Sequence, residues 1–452
     1  MWLVQPACDY CYNLACPTGL SVPRNKMRTL LATTRDRFLL ALQYEDYRRL
    51  WIATTFSASA AWALIVARGW LAFEITDGSL WVGIVTFAAI FPRVFSTPIA
   101  GFLADRFDRQ SLLRWIFLLN FGNNTLLALL VMSGHAGPWA LTFLALVNGT
   151  LRASQMTTAT ALIPNLVAKE HLMNGIALNQ ATQQGARMVG ALAIVPLLGY
   201  LNVEAAFWLC GGFYLCGFYQ VSKVKTRSTG VINKNQGFWT NLLAGFVYVY
   251  RRPMIMSMVL LVLAHCALTM SYESLLPALS ENKLGAGSVG ASYLIGGVGA
   301  GALLASIFMA GVRSNSVRGK LFLFFAFTSG LGPMLLAWSS DPVLSIAATV
   351  TMGINQAGFM TISHTIIQSL TEDHVRGRVA GVYSVHVGGS MAVTNMINAG
   401  FADIFTPSAV LVVGGGVFVV IVAISLLSPA LRRLYFPAAD PVSEAPAAST
   451  AD

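Results

Sequence analysis

Residues 51–74 read Trp51-Ile52-Ala53-Thr54-Thr55-Phe56-Ser57-Ala58-Ser59-Ala60-Ala61-Trp62-Ala63-Leu64-Ile65-Val66-Ala67-Arg68-Gly69-Trp70-Leu71-Ala72-Phe73-Glu74, a run of 24 residues with one charge in its interior, Arg68, and a second, Glu74, at its end. A helix of that length rises about 36 Å, enough to cross about 30 Å of hydrocarbon even when tilted. Eleven further stretches of like character follow, at approximately 80–103, 111–133, 138–160, 176–198, 203–222, 254–277, 288–311, 319–339, 342–367, 378–402 and 407–429. Twelve such runs in succession do not suit the core of a soluble protein. The chain reads as an all-α integral membrane protein with twelve transmembrane helices.

Composition agrees: 56% of the 452 residues are hydrophobic and 11% charged, against about 25% charged in an ordinary soluble chain. The net charge of +10 raises a nucleic-acid reading, but its distribution argues otherwise. The N-terminal segment, every second loop thereafter and the span ends adjoining those loops hold 24 of the 29 Lys and Arg, among them Arg35, Arg37, Arg48, Arg49, Lys223, Lys225, Arg227, Arg251 and Arg252. The opposite loops hold Lys283, and the other four lie within spans. That asymmetry is the positive-inside pattern. Both termini are therefore expected in the cytoplasm, and nucleic acid is not an expected partner.

No cleavable signal peptide is expected, because nothing before Trp51 is apolar for long enough. Residues 28–50 alternate Leu and Phe with Arg, as an interfacial helix would. Residues 437–452, rich in Pro, Ala and Ser, are expected to be disordered. Cys8, Cys11 and Cys16 form a C-x2-C-x4-C cluster with soft-metal spacing but no second ligand group. No metal or cofactor is expected. Cys210, Cys216 and Cys266 sit in spans as small core residues.

The chain is expected to divide into a cytoplasmic segment 1–47, a six-helix bundle 48–222, a polar cytoplasmic linker 223–253, a second six-helix bundle 254–430 and a tail 431–452. The two bundles echo each other. Arg48-Arg49-Leu50-Trp51 opens the first and Arg251-Arg252-Pro253-Met254 the second, while Glu170-His171-Leu172 is matched by Asp373-His374-Val375. Both pairs are offset by 203 residues, which points to a parallel internal repeat.

The loop after the second span reads Gly101-Phe102-Leu103-Ala104-Asp105-Arg106-Phe107-Asp108-Arg109. It resembles motif A of the major facilitator superfamily, G-x-L-a-D-r-x-G-r-r. Trp70, Glu74, Ser79, Pro92, Leu162-Ile163-Pro164, Asn179 to Gly190 and Arg376-Gly377-Arg378-Val379 are similar to the branch containing the enterobactin exporter and related efflux permeases. The resemblance covers roughly residues 45–430. It implies the major facilitator fold, two six-helix bundles around a central cavity, alternating access, and export coupled to proton entry. It also implies a bacterial inner-membrane location and a gate role for Gly101, Asp105, Arg106 and Arg109. Asp108 stands where the motif has Gly, and the second-half counterpart around Gly311-Val312-Arg313 lacks the Asp. Arg152-Ala153-Ser154-Gln155 keeps the R-x-x-q core of antiporter motif B but is followed by Met156, and Gly190-Ala191 replaces the Gly-Pro of motif C.

Ionisable residues at bilayer depth cost about 2.5–3.5 kcal/mol each on insertion scales and mark function by default. Arg68, Arg93, Arg152 and Arg187 are such residues in the first half; Glu273, His265, His364 and His386 are in the second. Spans 3, 6, 9 and 12 carry none away from their ends, and the resemblance makes these the peripheral helices. Guanidinium groups without a local carboxylate favour an anion. The four arginines are therefore expected to line a substrate cavity, with Arg93 alternatively capping carbonyls freed by Pro92. Arg68 and Glu273 lie at similar depth by the repeat offset, and are expected to pair as a gate. Glu273 is the expected proton carrier, His265 the second choice. The glycines of span 8, Gly296, Gly297, Gly299 and Gly301, read as packing positions.

The leading expectation is a monomeric permease exporting a small amphiphilic or anionic compound, siderophore-like or drug-like, by proton antiport. Proton-coupled uptake of an organic anion, or a non-transporting membrane sensor of the same fold, are the alternatives. Its partners are that substrate, protons and lipid. No Walker loop or H-E-x-x-H motif supports an enzyme or an ATP-driven pump.

Overall fold

The computed structural model describes residues 40–226, 228, 238–309, 315–372 and 375–436. The Cys8, Cys11 and Cys16 cluster, the stretch 28–39, Gly311 to Arg313, Asp373-His374 and the tail 437–452 lie outside the described residues, as does the side chain of Asp105.

The described chain is helical throughout. Its first half contains α1 (Glu45–Thr76), α2 (Ser79–Ile90), α3 (Arg93–Arg106), α4 (Arg109–Met132), α5 (Pro138–Leu166), α6 (Leu172–Ala193), α7 (Val195–Tyr200) and α8 (Val203–Ser222). After α9 (Phe238–Tyr250) come α10 (Pro253–Leu268), α11 (Leu276–Asn282), α12 (Gly287–Met309), α13 (Asn315–Trp338), α14 (Pro342–Ser369), α15 (Arg376–Ile404), α16 (Pro407–Ser425) and α17 (Pro429–Tyr435). As far as the expected spans are described, each falls on one helix or a broken pair. Seven described segments are long and apolar enough to cross a membrane by length and composition alone, or eight if the bent pair α9 and α10 counts as one. Helices α5, α6 and α15, rich in Asn, Gln, Thr and Ser, fall short of that measure, as does α8. Polar side chains facing a protein interior lower the apparent hydropathy of a span without exposing it to lipid.

Outward surfaces are correspondingly apolar. Trp115, Trp139, Phe143, Ile307, Trp338 and Leu427 are all exposed. An apolar groove of about 720 Å³ between α13, α14 and α16, lined by Phe324, Leu331, Trp338 and Val412, belongs to this surface and carries no charge.

Three departures from the expected spans bear on the position of the site. Residues 40–43 form a single 3-10 turn, and from Glu45 the chain already belongs to α1 rather than to an interfacial helix. The second part of the expected polar linker is helix α9, whose Gly245 sits against the α15 backbone at Arg378. Span 7 is not continuous. It unwinds between Leu268 and Leu276, where non-helical backbone is tolerated only if protein or a wet cavity satisfies it. Here protein does so. Gln356 Nε2 on α14 donates to the Thr269 carbonyl at 2.9 Å, and Asn398 Nδ2 on α15 donates to the Ser271 carbonyl at 2.7 Å. The Ser274 N–H donates to Asn395 Oδ1 at 3.2 Å.

Helices of each half pack mainly among themselves, and the halves meet along α6 against α12 and α2 against α15. Glycines make both seams close. A Cβ at Gly83 on α2 would lie 2.5 Å from that of Ala399, and Gly299 on α12 touches the α6 backbone at Met188. Gly301 and Gly297 face α14 instead, and Gly296 faces Leu192 on α6. The span-8 glycines are packing positions on two opposite faces.

Burial is asymmetric along the bundle. One core cluster holds the first-half helices together with Leu275, Leu279, Leu294, Met352, Ala402 and Leu411, all toward the end whose loops are poor in Lys and Arg. Toward the basic end the second half keeps a cluster of its own around Met258, Phe322, Phe359 and Phe418. The two halves therefore share a core at the basic-poor end.

Candidate functional site

A cavity of about 230 Å³ at mid-depth collects the buried charge. Arg68 on α1, Arg93 at the start of α3, Arg152 on α5, Arg187 on α6 and Glu273 in the unwound segment all line it. Fifteen of its 19 lining residues come from the first half, so its positive character belongs to that half. The second half contributes the one carboxylate. Arg68, Arg187 and Glu273 are only 4%, 6% and 5% exposed, so their charges are answered by protein rather than by bulk water.

Each arginine is held differently. Arg68 Nη2 donates to Asn148 Oδ1 on α5 at 2.6 Å, and Asn148 Nδ2 donates onward to Asn120 Oδ1 on α4 at 2.7 Å. Arg187 crosses to the other half: its Nη2 donates to the Tyr272 hydroxyl at 2.7 Å and lies 3.5 Å from Glu273 Oε1. The Arg187 guanidinium also sits 4.3 Å above the Trp62 ring, and that of Arg152 lies 5.6 Å from the same ring. Such contacts stabilise a cation without neutralising it. Arg152 and Arg93 make no side-chain hydrogen bond among the described residues, so Arg93 does not cap the carbonyls near Pro92.

The expected Arg68–Glu273 pair is not formed. Unwinding of residues 269–275 carries Tyr272 and Glu273 toward α6, where Arg187 meets them, while Arg68 is engaged by Asn148. Nor does His265 line the cavity. Its Nε2 shares a hydrogen bond of 2.7 Å with Ser329 Oγ, and its ring stacks on Phe359 at 4.1 Å within the second-half core. His386 is hydrogen-bonded to the Tyr250 hydroxyl of α9 at 2.8 Å.

A different contact closes the basic-poor end. Helix α2 begins after Gly78, which has no side chain to cap it. Asp403 of α15 supplies the cap from the other half, accepting from the N–H groups of Ser79 at 2.6 Å and Leu80 at 2.9 Å. A carboxylate on a helix N-terminus satisfies orphan donors and the positive end of the dipole together.

In the loop resembling motif A, Arg109 is pinned rather than free. Its Nε donates to the Ala104 carbonyl at 3.0 Å, and its Nη1 to the Ala161 carbonyl at 2.8 Å and to Asn165 Oδ1 at 3.1 Å. Asp108, the departure from the motif's Gly, caps α4 by accepting from the Ser111 N–H at 2.9 Å and also accepts from the Ser228 N–H at 3.1 Å. It therefore ties the start of the linker to this loop. Gly101 lies on α3, where a Cβ would be 4.0 Å from the Thr157 side chain, and Arg106 is exposed at the helix end.

A family profile described as transmembrane secretion effector (MFS_3) matches residues 39–448. The chain belongs to this family. The chain is thus of the major facilitator type. Over 208 residues it is 26% identical to the uncharacterized MFS-type transporter y4rN of Sinorhizobium fredii, a match covering 45% of this chain and 50% of the relative. The chain thus spans about half the length of that relative. Among solved structures, the nucleoside transporter NupG superposes with a TM-score of 0.69 at 12% identity, over 86% of this chain and 99% of that one. A POT family transporter in complex with a thioalcohol-conjugated peptide superposes at 0.65, also 12% identical, over 85% of this chain and 96% of that one. Identity this low shows the shared fold and nothing of substrate.

Proposed function

We propose that this transporter carries a small organic anion by alternating access, with the four-arginine cavity as its substrate site. The carrying observation is the charge of the wall: four guanidinium groups and one carboxylate line one cavity. Arginine binds carboxylate or phosphate bidentately, and Arg152 and Arg93 have no hydrogen-bond partner among the described residues. Arg152 is the leading substrate contact, Arg93 the next. Arg68, held by Asn148, positions the wall. The volume, about 230 Å³, falls below the range of about 300–1,000 Å³ for pockets that take drug-sized ligands. That favours a compact anion over a siderophore-sized one in this conformation.

Twelve spans grouped as 48–222 and 254–430 suit the rocking of two bundles about such a site. With the basic loops placed in the cytoplasm, the shared core and Asp403 lie on the outer side, and the conformation is one closed to the outside. The secretion-effector family supports outward movement. The opposite coupling, anion and proton moving together, has one observation in its favour, the contact of Glu273 with Arg187.

Two measurements test the proposal. Inside-out vesicles should accumulate a labelled small carboxylate under an imposed proton gradient if the carrier exports it. Arg152→Gln should lower transport of anionic substrates at least about tenfold, as loss of a charge-assisted hydrogen bond of about 1.5–3 kcal/mol implies, and leave neutral analogues unaffected. Equal loss for neutral and anionic compounds would remove the assignment.

A further inference from the structure

Three polar atoms in the cavity wall are buried and have no hydrogen-bond partner: Arg187 Nε, Arg68 Nη1 and Glu273 Oε2. The Arg187–Glu273 contact, at 3.5 Å, is long beside the 2.7–2.9 Å of a strong charge-assisted hydrogen bond. The same Nη2 is already used at 2.7 Å by the Tyr272 hydroxyl. Glu273 is thus a carboxylate held loosely on a guanidinium that an incoming anion would seek, inside a wall where guanidinium is in excess.

We propose that the anion and a proton bind this site together: the anion takes the place of Glu273 on Arg187, and a proton from solution neutralises the displaced carboxylate at Oε2. This rests on the reading of the cavity as an anion site. Before the exchange Arg187 is paired with the Glu273 carboxylate; afterwards it is paired with the anion, and Glu273 is an uncharged acid. The net charge on the wall and its contents is conserved, and no buried carboxylate is left without a cation, which would cost several kcal/mol.

The surroundings allow this. The charged groups that line the cavity with Glu273 are Arg187 on α6, Arg152 on α5, Arg93 on α3 and Arg68 on α1; α2 offers Val85 and Thr86, and α15 offers Val387 and Met391. Arg68 is engaged with Asn148. Arg152 and Arg93 receive the remaining oxygens of the anion, so neither replaces Arg187 as the partner of Glu273.

The consequence is a sign for the coupling. Ligands that favour each other's binding travel in the same direction, whereas ligands that compete are exchanged, and the linkage is reciprocal. Replacement on Arg187 makes proton and anion partners. Export in exchange for protons, the coupling the resemblance implied, would need them to be rivals.

The test uses the purified full-length protein and benzoate, a carboxylate small enough for the cavity. Calorimetric titration in two buffers of different ionisation enthalpy counts the protons exchanged. Binding should take up about one proton per benzoate, and Kd should rise toward about tenfold per pH unit on the alkaline side. Glu273→Gln should bind benzoate with no proton uptake and a flat pH profile. Binding to the wild type without proton uptake, or with release, overturns the coupling while leaving the anion site intact. No binding of benzoate or of inorganic phosphate overturns both. The wild-type measurement decides the matter even if Glu273→Gln does not fold.

Discussion

Arg187→Met should abolish anion transport and destabilise the protein by about 3–5 kcal/mol, the range for stripping one partner from a buried ion pair. The residue joins the halves at a single point. It donates to the Tyr272 hydroxyl at 2.7 Å, faces Glu273 at 3.5 Å and covers the Trp62 ring at 4.3 Å. Removing it leaves the Glu273 carboxylate buried without its cation, and the unwound segment loses its tie to α6. Arg187→Lys keeps a charge but loses the planar stack and the fork of donors, so it should retain stability better than transport. The double variant Arg187→Met, Glu273→Gln removes both charges, and should recover much of the thermal stability without recovering transport. Exchanging Arg68 and Glu273 should rescue nothing, because Arg68 Nη2 is committed to Asn148 at 2.6 Å. Thermal unfolding in detergent and vesicle transport read these outcomes separately. A single Arg187→Met variant that melts and transports like the wild type would rule out any role for this pair.

The arginines were legible because insertion cost leaves lipid-facing positions closed to them; Arg68, Arg93, Arg152 and Arg187 do converge on one cavity. Their partners were not legible. The repeat offset of 203 treats span 7 as a regular helix, but residues 269–275 are unwound, and a few non-helical residues are enough to move Glu273 from one arginine to another. A signal was present: Thr269, Ser271, Tyr272, Glu273 and Ser274 form a polar run just before Pro277, which favours a break in a span. Trp62 and Asn148 were missed because an uncharged aromatic or amide in a span looks like ordinary packing. The Asp403 cap on Ser79 and Leu80 joins residues more than 320 positions apart, and no local pattern encodes such a pairing. Helix α9 was passed over because the Lys and Asn before it made the whole segment read as a loop, although Phe238–Tyr250 is itself apolar.

Gly83→Leu should shift the carrier toward the state open at its basic-poor end. A Cβ at Gly83 would lie 2.5 Å from the Ala399 Cβ, 3.0 Å from the Met396 Cα and 3.1 Å from the Asn395 carbonyl oxygen. Two of these are backbone atoms of α15, which cannot turn aside as a side-chain tip can. The helices must part, and the parting also pulls Ser79 and Leu80 from Asp403. A substitution that strains one of two states changes their ratio by its difference in energy. At Gly149 the outcome should differ, because a Cβ there meets the Ala89 backbone within the same half; a large side chain would damage that half in every state and lower the yield of folded protein. Accessibility of Thr86→Cys, a buried cavity position on α2, reports the shift in a background without other cysteines. Labelling by an impermeant maleimide from the basic-poor side should speed up about tenfold or more in Gly83→Leu, for a bias of about 1.4 kcal/mol. Asp403→Ala, which removes two hydrogen bonds and no backbone contact, should move it less. If labelling from that side is unchanged while transport continues, the seam between α2 and α15 is not the element that closes the cavity.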